Sequence, residues 1–456
     1  MEDAVPHYTP TQIKHYAKPV PRYTSYPTAP HFNEAVQDKT VRKWMATIPA
    51  DEAISLYIHI PFCDRLCWFC GCHTKHTLKY EPVRRYLQTV YNEIRLVGSR
   101  IGRQQTVAHL HLGGGSPSLL KPEDLADLKR VLLENFHINP STEISLEFDP
   151  TDLDKHALRA FAGFGVTRAS LGVQDFDPLV QATINRPQSF EQTKFVVDTL
   201  REQGVISLNI DALYGLPHQT LTTLEDTLHS VISLSPDRIA LFGYAHVPWV
   251  KPHQKMIPEN SLPDNMARFK QARFAETVLK DAGYVAIGFD HFAKPTDSLA
   301  QGYKAGTVRR NFQGYTTDAC PTLIGLGVSS ISQFAQGYAQ NVKDTHSYRR
   351  AIEAGDLPTQ RGIAVGPHDA MVASAINELM CYFTLSKAPL RAAYGDAADM
   401  IISRAQRIAH EDENGYFKET ASGFALTDSG RPFVRTYAAL FDDYIAETSG
   451  KYSVAV

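Results

Sequence analysis

From Ala53 onward the chain alternates short apolar runs with amphipathic stretches. The runs fall at 54–60, 107–112, 143–148, 167–173, 206–210 and 238–243. Between them the apolar positions take a helical period, as with Val83, Tyr86, Leu87, Val90, Ile94 and Val97, which lie on one face of a helix. Runs that are apolar throughout suit strands covered on both faces, and strands alternating with helices imply parallel pairing through right-handed crossovers. About six such units predict an α/β fold, an incomplete, three-quarter parallel β/α barrel. In a barrel of this kind the active site lies at the C-terminal ends of the strands. The unusual residues fall there. A cysteine-rich loop follows the first run, Gly-Gly-Gly-Ser-Pro at 113–117 the second, Glu147 and Asp149 the third, Gln174 and Asp175 the fourth, Asp211 the fifth, and Tyr244, Ala245 and His246 the sixth.

The flanks read differently. Residues 1–50 are rich in Pro and Tyr with no sustained period, which predicts an extended N-terminal arm with one short helix at 41–46. Tyr8, Tyr16, Tyr23 and Tyr26 load it with rings able to cover a flat apolar ligand, so the arm is expected to close over the substrate. Beyond the barrel come a helix at 265–282, an apolar strand-like piece at 284–289 and a glycine-rich turn region at 325–330. Past 367 the pattern predicts helices at 369–382 and 397–410, a hairpin at 416–426 and a final helix from 428 or 429 to 446, a smaller, mainly helical, winged-helix-like C-terminal domain. The expected division is arm 1–50, barrel with extension 51–365 and C-terminal domain 366–456.

With 456 residues, 43% hydrophobic content and a net charge of -3, the chain reads as a globular protein of one large and one small domain. Residues 366–456 carry eight Lys plus Arg against twelve Asp plus Glu, a net of -4, which argues against nucleic acid despite the winged pattern. No apolar run approaches the roughly 20 residues needed to span a bilayer. No secretory leader is legible in residues 1–30, and clustered free cysteines suit a reducing compartment, so a cytoplasmic location is expected.

Four of the six cysteines sit between Tyr57 and Cys72, with Cys63, Cys67 and Cys70 spaced C-x3-C-x2-C. Three explanations compete. Disulfides suit neither the expected compartment nor a chain of this size. Structural zinc wants four closed ligands, and no second C-x2-C follows, although Cys72 and His73 could complete a site. An iron–sulfur cube held by three cysteines leaves one iron open for a small molecule, and this reading is favoured. Cys320 and Cys381 are expected to be buried free thiols.

C-x3-C-aromatic-x-C, with Trp68 in the aromatic place, resembles the signature of the radical S-adenosylmethionine (SAM) enzymes. Within them the chain is similar to the oxygen-independent coproporphyrinogen III oxidases, whose motif extends through a fourth cysteine, here Cys72. Further likenesses are Pro-Arg-Tyr-Thr-Ser-Tyr-Pro-Thr-Ala at 21–29, Gly-Val-Gln-Asp-Phe at 172–176, Tyr-Gly-Leu-Pro at 214–217, Asp-His-Phe-Ala at 290–293 and Arg-Asn-Phe-Gln-Gly-Tyr-Thr-Thr at 310–317. The resemblance implies a 4Fe-4S cluster on Cys63, Cys67 and Cys70, with SAM chelating the open iron. It also implies the anaerobic conversion of two propionates of coproporphyrinogen III to vinyl groups, with electrons from a reduced carrier protein of flavodoxin or ferredoxin type.

The SAM pocket needs acceptors and donors. Glu147 and Asp211 offer acceptors, Arg186 a fork for a carboxylate, Gln174 both, and the glycine run a backbone that a ligand can approach. By resemblance two SAM molecules are held, and their contacts map onto Tyr57, Phe69, Gly114, Gly115, Ser116, Glu147, Gln174, Arg186, Asp211, Ala245 and Ile331. Tyr57 and Cys72 are the catalytic candidates, Cys72 being expected to lie outside the iron ligands. Arg22, Tyr23, Arg310, Gln313 and Tyr315 are the substrate candidates, with the patch of Arg309, Arg310, Gln313 and Tyr315 as a grip for propionates. Ser116 stands where the family usually has threonine and Gly243 where it has asparagine. A monomer is expected. Rival readings are a relative that binds haem, as a chaperone or haem-degrading methyltransferase, and a zinc-stabilised binding module.

Overall fold

The computed structural model describes residues 8–102, 105–447 and 452. The ends of the expected arm and C-terminal domain, 1–7, 448–451 and 453–456, lie outside them. Six parallel strands stand side by side in chain order: β1 (Ile54–Ile60), β2 (Val107–Gly114), β3 (Glu143–Phe148), β4 (Arg168–Gln174), β5 (Ser207–Tyr214) and β6 (Arg238–Gly243). A helix follows each of the first five, among them Glu81–Ile101, which starts with a proline in its first turn and buries Val83, Leu87, Val90, Ile94 and Val97 along one face. Side chains of Asp154, Ser189 and Thr220 cap three of the others by accepting the first free N–H groups. Fully buried aliphatic side chains of this core each contribute roughly 1.5–3 kcal/mol.

The sheet is wider than the six apolar runs. Its order extends past β6 through an antiparallel hairpin, β7 (Val285–Ile287) and β8 (His291–Ala293), with β8 against β6. The piece expected as one strand at 284–289 holds β7, and β8 follows it outside those bounds. On the other side β9 (Leu323–Leu326) pairs in parallel with β1, followed by the antiparallel β10 (Ile331–Phe334), β11 (Gly337–Asn341) and β12 (Thr359–Ala364). The expected glycine-rich turn at 325–330 is thus partly strand. Gly325 hid it, because a Cβ there would come within 2.7 Å of the Ile331 carbonyl oxygen, so packing forbids the apolar side chain that would have marked a run. The outermost strands do not pair with each other, and the barrel stays open.

A buried carboxylate joins the extension to the barrel. Glu93 accepts hydrogen bonds from the Gly327 N–H (2.6 Å), Asn341 Nδ2 (2.9 Å) and the Tyr348 hydroxyl (2.5 Å). Burial pushes its pKa up to about 7 against these bonds.

The C-terminal part runs helix Pro367–Tyr382, strand Thr384–Ser386, helices Lys387–Tyr394 and Ala398–Glu411, then the hairpin Phe417–Glu419 and Gly423–Leu426. The single final helix expected to 446 is broken into Arg431–Phe433, Val434–Ala439 and Ile445–Glu447. The arm has an unforeseen helix, Pro10–Tyr16, and its tyrosines pack against this C-terminal part. The Tyr16 ring stacks on Phe433 at 4.3 Å and its hydroxyl meets that of Tyr437 at 3.1 Å. Tyr8 bonds the Ser429 carbonyl (3.0 Å), and Tyr23 donates to Asp442 (3.0 Å). Their rings complete a second apolar core, separate from that of the barrel. All six cysteines are free; Cys381 is buried as expected, but Cys320 is only half-buried. Among the described residues no helix is long and apolar enough to cross a membrane.

Tyr16→Ala removes one ring from that stack and is expected to cost about 3 kcal/mol. The cost will show in urea unfolding and as earlier proteolysis within residues 8–30, whereas an unchanged midpoint would mean that the arm is only loosely attached.

Candidate active site

The loop after β1 has almost no regular structure, only the paired two-residue strands Phe62–Cys63 and Lys75–His76. Its carbonyls are therefore held from elsewhere in the chain. Asn185 Nδ2 donates to Leu66 (2.9 Å), Gln254 Nε2 to Phe69 (2.9 Å), His253 Nε2 to Cys70 (2.8 Å) and Lys251 Nζ to Cys72 (2.7 Å). His59 Nε2 donates to the His73 carbonyl (3.0 Å), which leaves Nδ1 to accept from the Tyr57 hydroxyl at 3.0 Å. Burial holds the His59 ring at a pKa of about 4, so it is neutral, as this tautomer requires.

A cavity of about 160 Å³ opens at the strand ends beside this loop. Cys63, Cys67, Cys70, Cys72, Phe69, Gly114, Gly115, Ser116, Glu147, Gln174, Arg186 and Asp211 all line it, with Asp149 and Ser170. Tyr57 stands beside it, stacked on His111 with ring centres 5.6 Å apart. Ala245 lines a second, neighbouring cavity, and Ile331 opens β10 in the extension. Of the substrate candidates, Arg22 lines the second cavity, whereas Tyr23 and Tyr315 are buried and donate to Asp442 (3.0 Å) and to the Met380 carbonyl (2.6 Å). Gln313 is exposed in a hairpin turn, and Arg310 is locked behind the second cavity.

The glycine run is built for close packing. Gly114 has φ +115°, and a Cβ on it would lie 2.5 Å from the His59 ring; one on Gly115 would lie 2.6 Å from the Phe62 carbonyl oxygen. The N–H groups of Gly114, Gly115 and Ser116 all bond within the protein, to Glu147 Oε2 (2.9 Å), Ile60 O (2.8 Å) and Phe62 O (2.8 Å). A ligand would meet this run through carbonyl oxygens, which suit an ammonium, and not through the N–H groups.

Gln174 ends β4 with φ +70°, where the register with β5 shifts between Gly172 and Gln174. Such irregularities concentrate where a side chain must be re-aimed.

The charges are arranged in pairs. Burial raises the Glu147 pKa, but His111 (3.3 Å) and the Gly114 N–H outweigh it and keep the group below its ordinary value. Arg186 donates to Asp149 (2.9 Å), the Gly172 carbonyl (2.6 Å) and the Cys67 sulfur (3.5 Å). Its buried Nε has no hydrogen-bond partner among the described residues.

Burial pushes Cys63 up to about 12 and raises Cys67, so thiolates there need a cation, as iron would supply. Cys70 is pulled down to about 7 by hydrogen bonding from Cys72, and the Ser116 hydroxyl bonds the Cys63 sulfur. Among the described residues no three His, Cys, Asp or Glu side chains are gathered as ligands of a single ion. Cys63, Cys67 and Cys70 all line the cavity, and three soft thiolate donors are a ligand set that an iron–sulfur cluster takes.

Sequence reasoning missed His111, His253 and Gln254, none of which stands in a motif; only the alternation of His109 and His111 along a strand hinted at one of them. Burial, and then the charge of Glu147, push the Asp211 pKa up to about 6. An unfolded Asp ionises near 4, so this burial subtracts from stability as pH rises from about 4 to about 6, and fully above that. At about 1.4 kcal/mol per pH unit the penalty is roughly 3 kcal/mol. Asp211→Asn should therefore be more stable than the parent at pH 8 and no more stable at pH 4, as read by urea unfolding at both values. A gain that is equal at the two pH values would contradict this.

A family model described as the radical SAM superfamily matches residues 57–231. An oxygen-independent coproporphyrinogen III oxidase from Bradyrhizobium diazoefficiens is 43% identical over 437 residues, 96% of this chain and 97% of the relative. One from Paracoccus denitrificans is 44% identical, with 96% of each chain covered. A solved structure of coproporphyrinogen III oxidase from Escherichia coli, described as a radical SAM enzyme, superimposes with a TM-score of 0.88 at 35% identity over 93% of this chain and 98% of that one. The chain therefore belongs to the oxygen-independent coproporphyrinogen III oxidase family of radical SAM enzymes.

Proposed function

We propose that the chain decarboxylates two propionates of coproporphyrinogen III to vinyl groups without oxygen, giving protoporphyrinogen IX for haem biosynthesis. The observation that carries this is the likeness to coproporphyrinogen III oxidases over 96% of the chain, which takes in the arm and the C-terminal part as well as the radical SAM region. Cys63, Cys67 and Cys70 would hold the 4Fe-4S cluster. Together with SAM and one electron from a carrier protein of flavodoxin or ferredoxin type, that cluster would supply a 5′-deoxyadenosyl radical able to take a β-hydrogen from a propionate. Each propionate loses that hydrogen atom, CO2 and one further electron.

The chain's own residues bind and orient. Glu147, charged and beside the carbonyls of the glycine run, is suited to the SAM ammonium, and Arg186 Nε–H to its carboxylate. Asp211 and Gln174 offer partners for ribose hydroxyls, and Phe69 an apolar wall. A second SAM would lie toward Ala245. Cys72 bonds Cys70 and faces the cavity, and with Tyr57 it is assigned to the substrate side and not to the iron. The protein is proposed to act in the cytoplasm as a monomer, with residues 51–365 carrying the chemistry and the flanking segments closing over it.

Replacing any one of Cys63, Cys67 or Cys70 with Ser should remove most of the iron from anaerobically purified protein, whereas Cys72→Ser should keep it. Iron lost equally in Cys72→Ser, or zinc in place of iron, would refute the ligand set. Incubating the reconstituted protein with SAM, a reductant and coproporphyrinogen III should yield the divinyl product. Tight haem binding with no vinyl product would favour a haem chaperone instead.

A further inference from the structure

The second cavity, of about 100 Å³, lies at the ends of β5 and β6. Gln254 ties it to the first by donating to both the Ala245 carbonyl (3.2 Å) and the Phe69 carbonyl (2.9 Å). Its lining brings together arginines from three distant parts of the chain: Arg22 from the arm, Arg268 from the helix Asn265–Asp281 and Arg435 from the helix Val434–Ala439. Tyr214, at the end of β5, stands among all three.

Among the described residues the lining holds a single carboxylate, Asp290, and that group is already engaged. Arg310 approaches both of its oxygens (3.5 and 3.4 Å), and His291 Nδ1 lies 2.7 Å from one of them. Arg310 is itself sandwiched between the rings of Phe289 and Tyr315, at 4.8 and 4.5 Å, and donates to the Arg22 carbonyl (3.1 Å), so it is a fixed support and not a free grip. Arg22 gives Nη2 to the Gly243 carbonyl (3.1 Å), a neutral partner, and the buried Nε of Arg268 has no hydrogen bond among the described residues. Gly243 makes room here: any Cβ on it would strike the Tyr214 ring at 2.9 Å. Burial lowers the pKa of both Arg22 and Arg268. Gathering like charges out of water is strongly unfavourable unless an anion joins them.

We propose that this cavity is a carboxylate subsite in which Arg268 and Arg22 fork onto a propionate of the tetrapyrrole, holding the ring so that another propionate reaches the cysteine cavity. The proposal rests on the reaction proposed above. The volume fits one or two carboxylate arms and is far too small for the macrocycle, which would lie across the mouth beside Trp249. SAM also has a carboxylate, and Ala245 borders this cavity, so a second SAM is the competing occupant.

The test uses reconstituted protein and coproporphyrin III, an air-stable tetracarboxylate, titrated by fluorescence with and without SAM, with the tetramethyl ester as control. Arg268→Gln should weaken coproporphyrin III binding about tenfold or more and raise KM for the porphyrinogen. SAM affinity and iron content should be unchanged, and Arg268→Lys should recover part of the loss. The ester should bind the parent and the variant alike. If Arg268→Gln loses iron or melts early, Arg22→Gln supplies the same comparison. Coproporphyrin affinity within twofold of the parent would overturn the subsite, and a loss falling on SAM would give the cavity to SAM. A parent that binds coproporphyrin III but makes no vinyl product would refute the reaction and leave the subsite standing.

Discussion

Everything at the strand ends depends on hydrogen bonds from side chains to the carbonyls of one irregular loop. That loop carries four sulfurs and has only one two-residue strand pair of its own to satisfy its peptide groups. Asn185, His253, Gln254, Lys251 and His59 supply the missing donors from three separate stretches of chain. The loop is therefore only as well placed as the barrel that carries those donors. This explains why so large a sheet surrounds so small a reactive centre: precise placement of a constellation needs rigid elements behind it.

The two neighbouring cavities have opposite electrostatic character. Beside the thiols, Glu147, Asp149 and Asp211 face one buried arginine, Arg186. The second cavity has three arginines and one carboxylate already held by Arg310. An amino-acid-like ligand bearing an ammonium suits the first, and an acid with several carboxylates suits the second. The arm and the C-terminal part matter here because they share one apolar core and together deliver Arg22 and Arg435 to the second cavity. Arg435 also binds the arm directly, through the carbonyls of Pro21 (3.2 Å) and Val20.

The barrel strands were legible because burial on both faces writes itself as an apolar run, and β1, β3 and β6 carry the expected bounds. β9 was not legible, since packing against Ile331 demands glycine where a run would show a large residue. The arm's tyrosines were visible as a cluster, but a ring that covers a ligand and a ring that fills a core look alike in one dimension. Tyr16 and Tyr23 prove to belong to the core.

The sequence by itself determined the strand order of the barrel and the rim on which the chemistry sits, because local periodicity and chain direction are properties of neighbouring residues. It also marked the cysteine spacing, which one loop carries alone. Only the tertiary structure decided that Arg268 and Arg435 meet Arg22, that Arg310 supports Asp290, and that Gln254 links the two cavities. Those contacts join residues far apart along the chain, and the packing of one element on another, which no local pattern records, sets them.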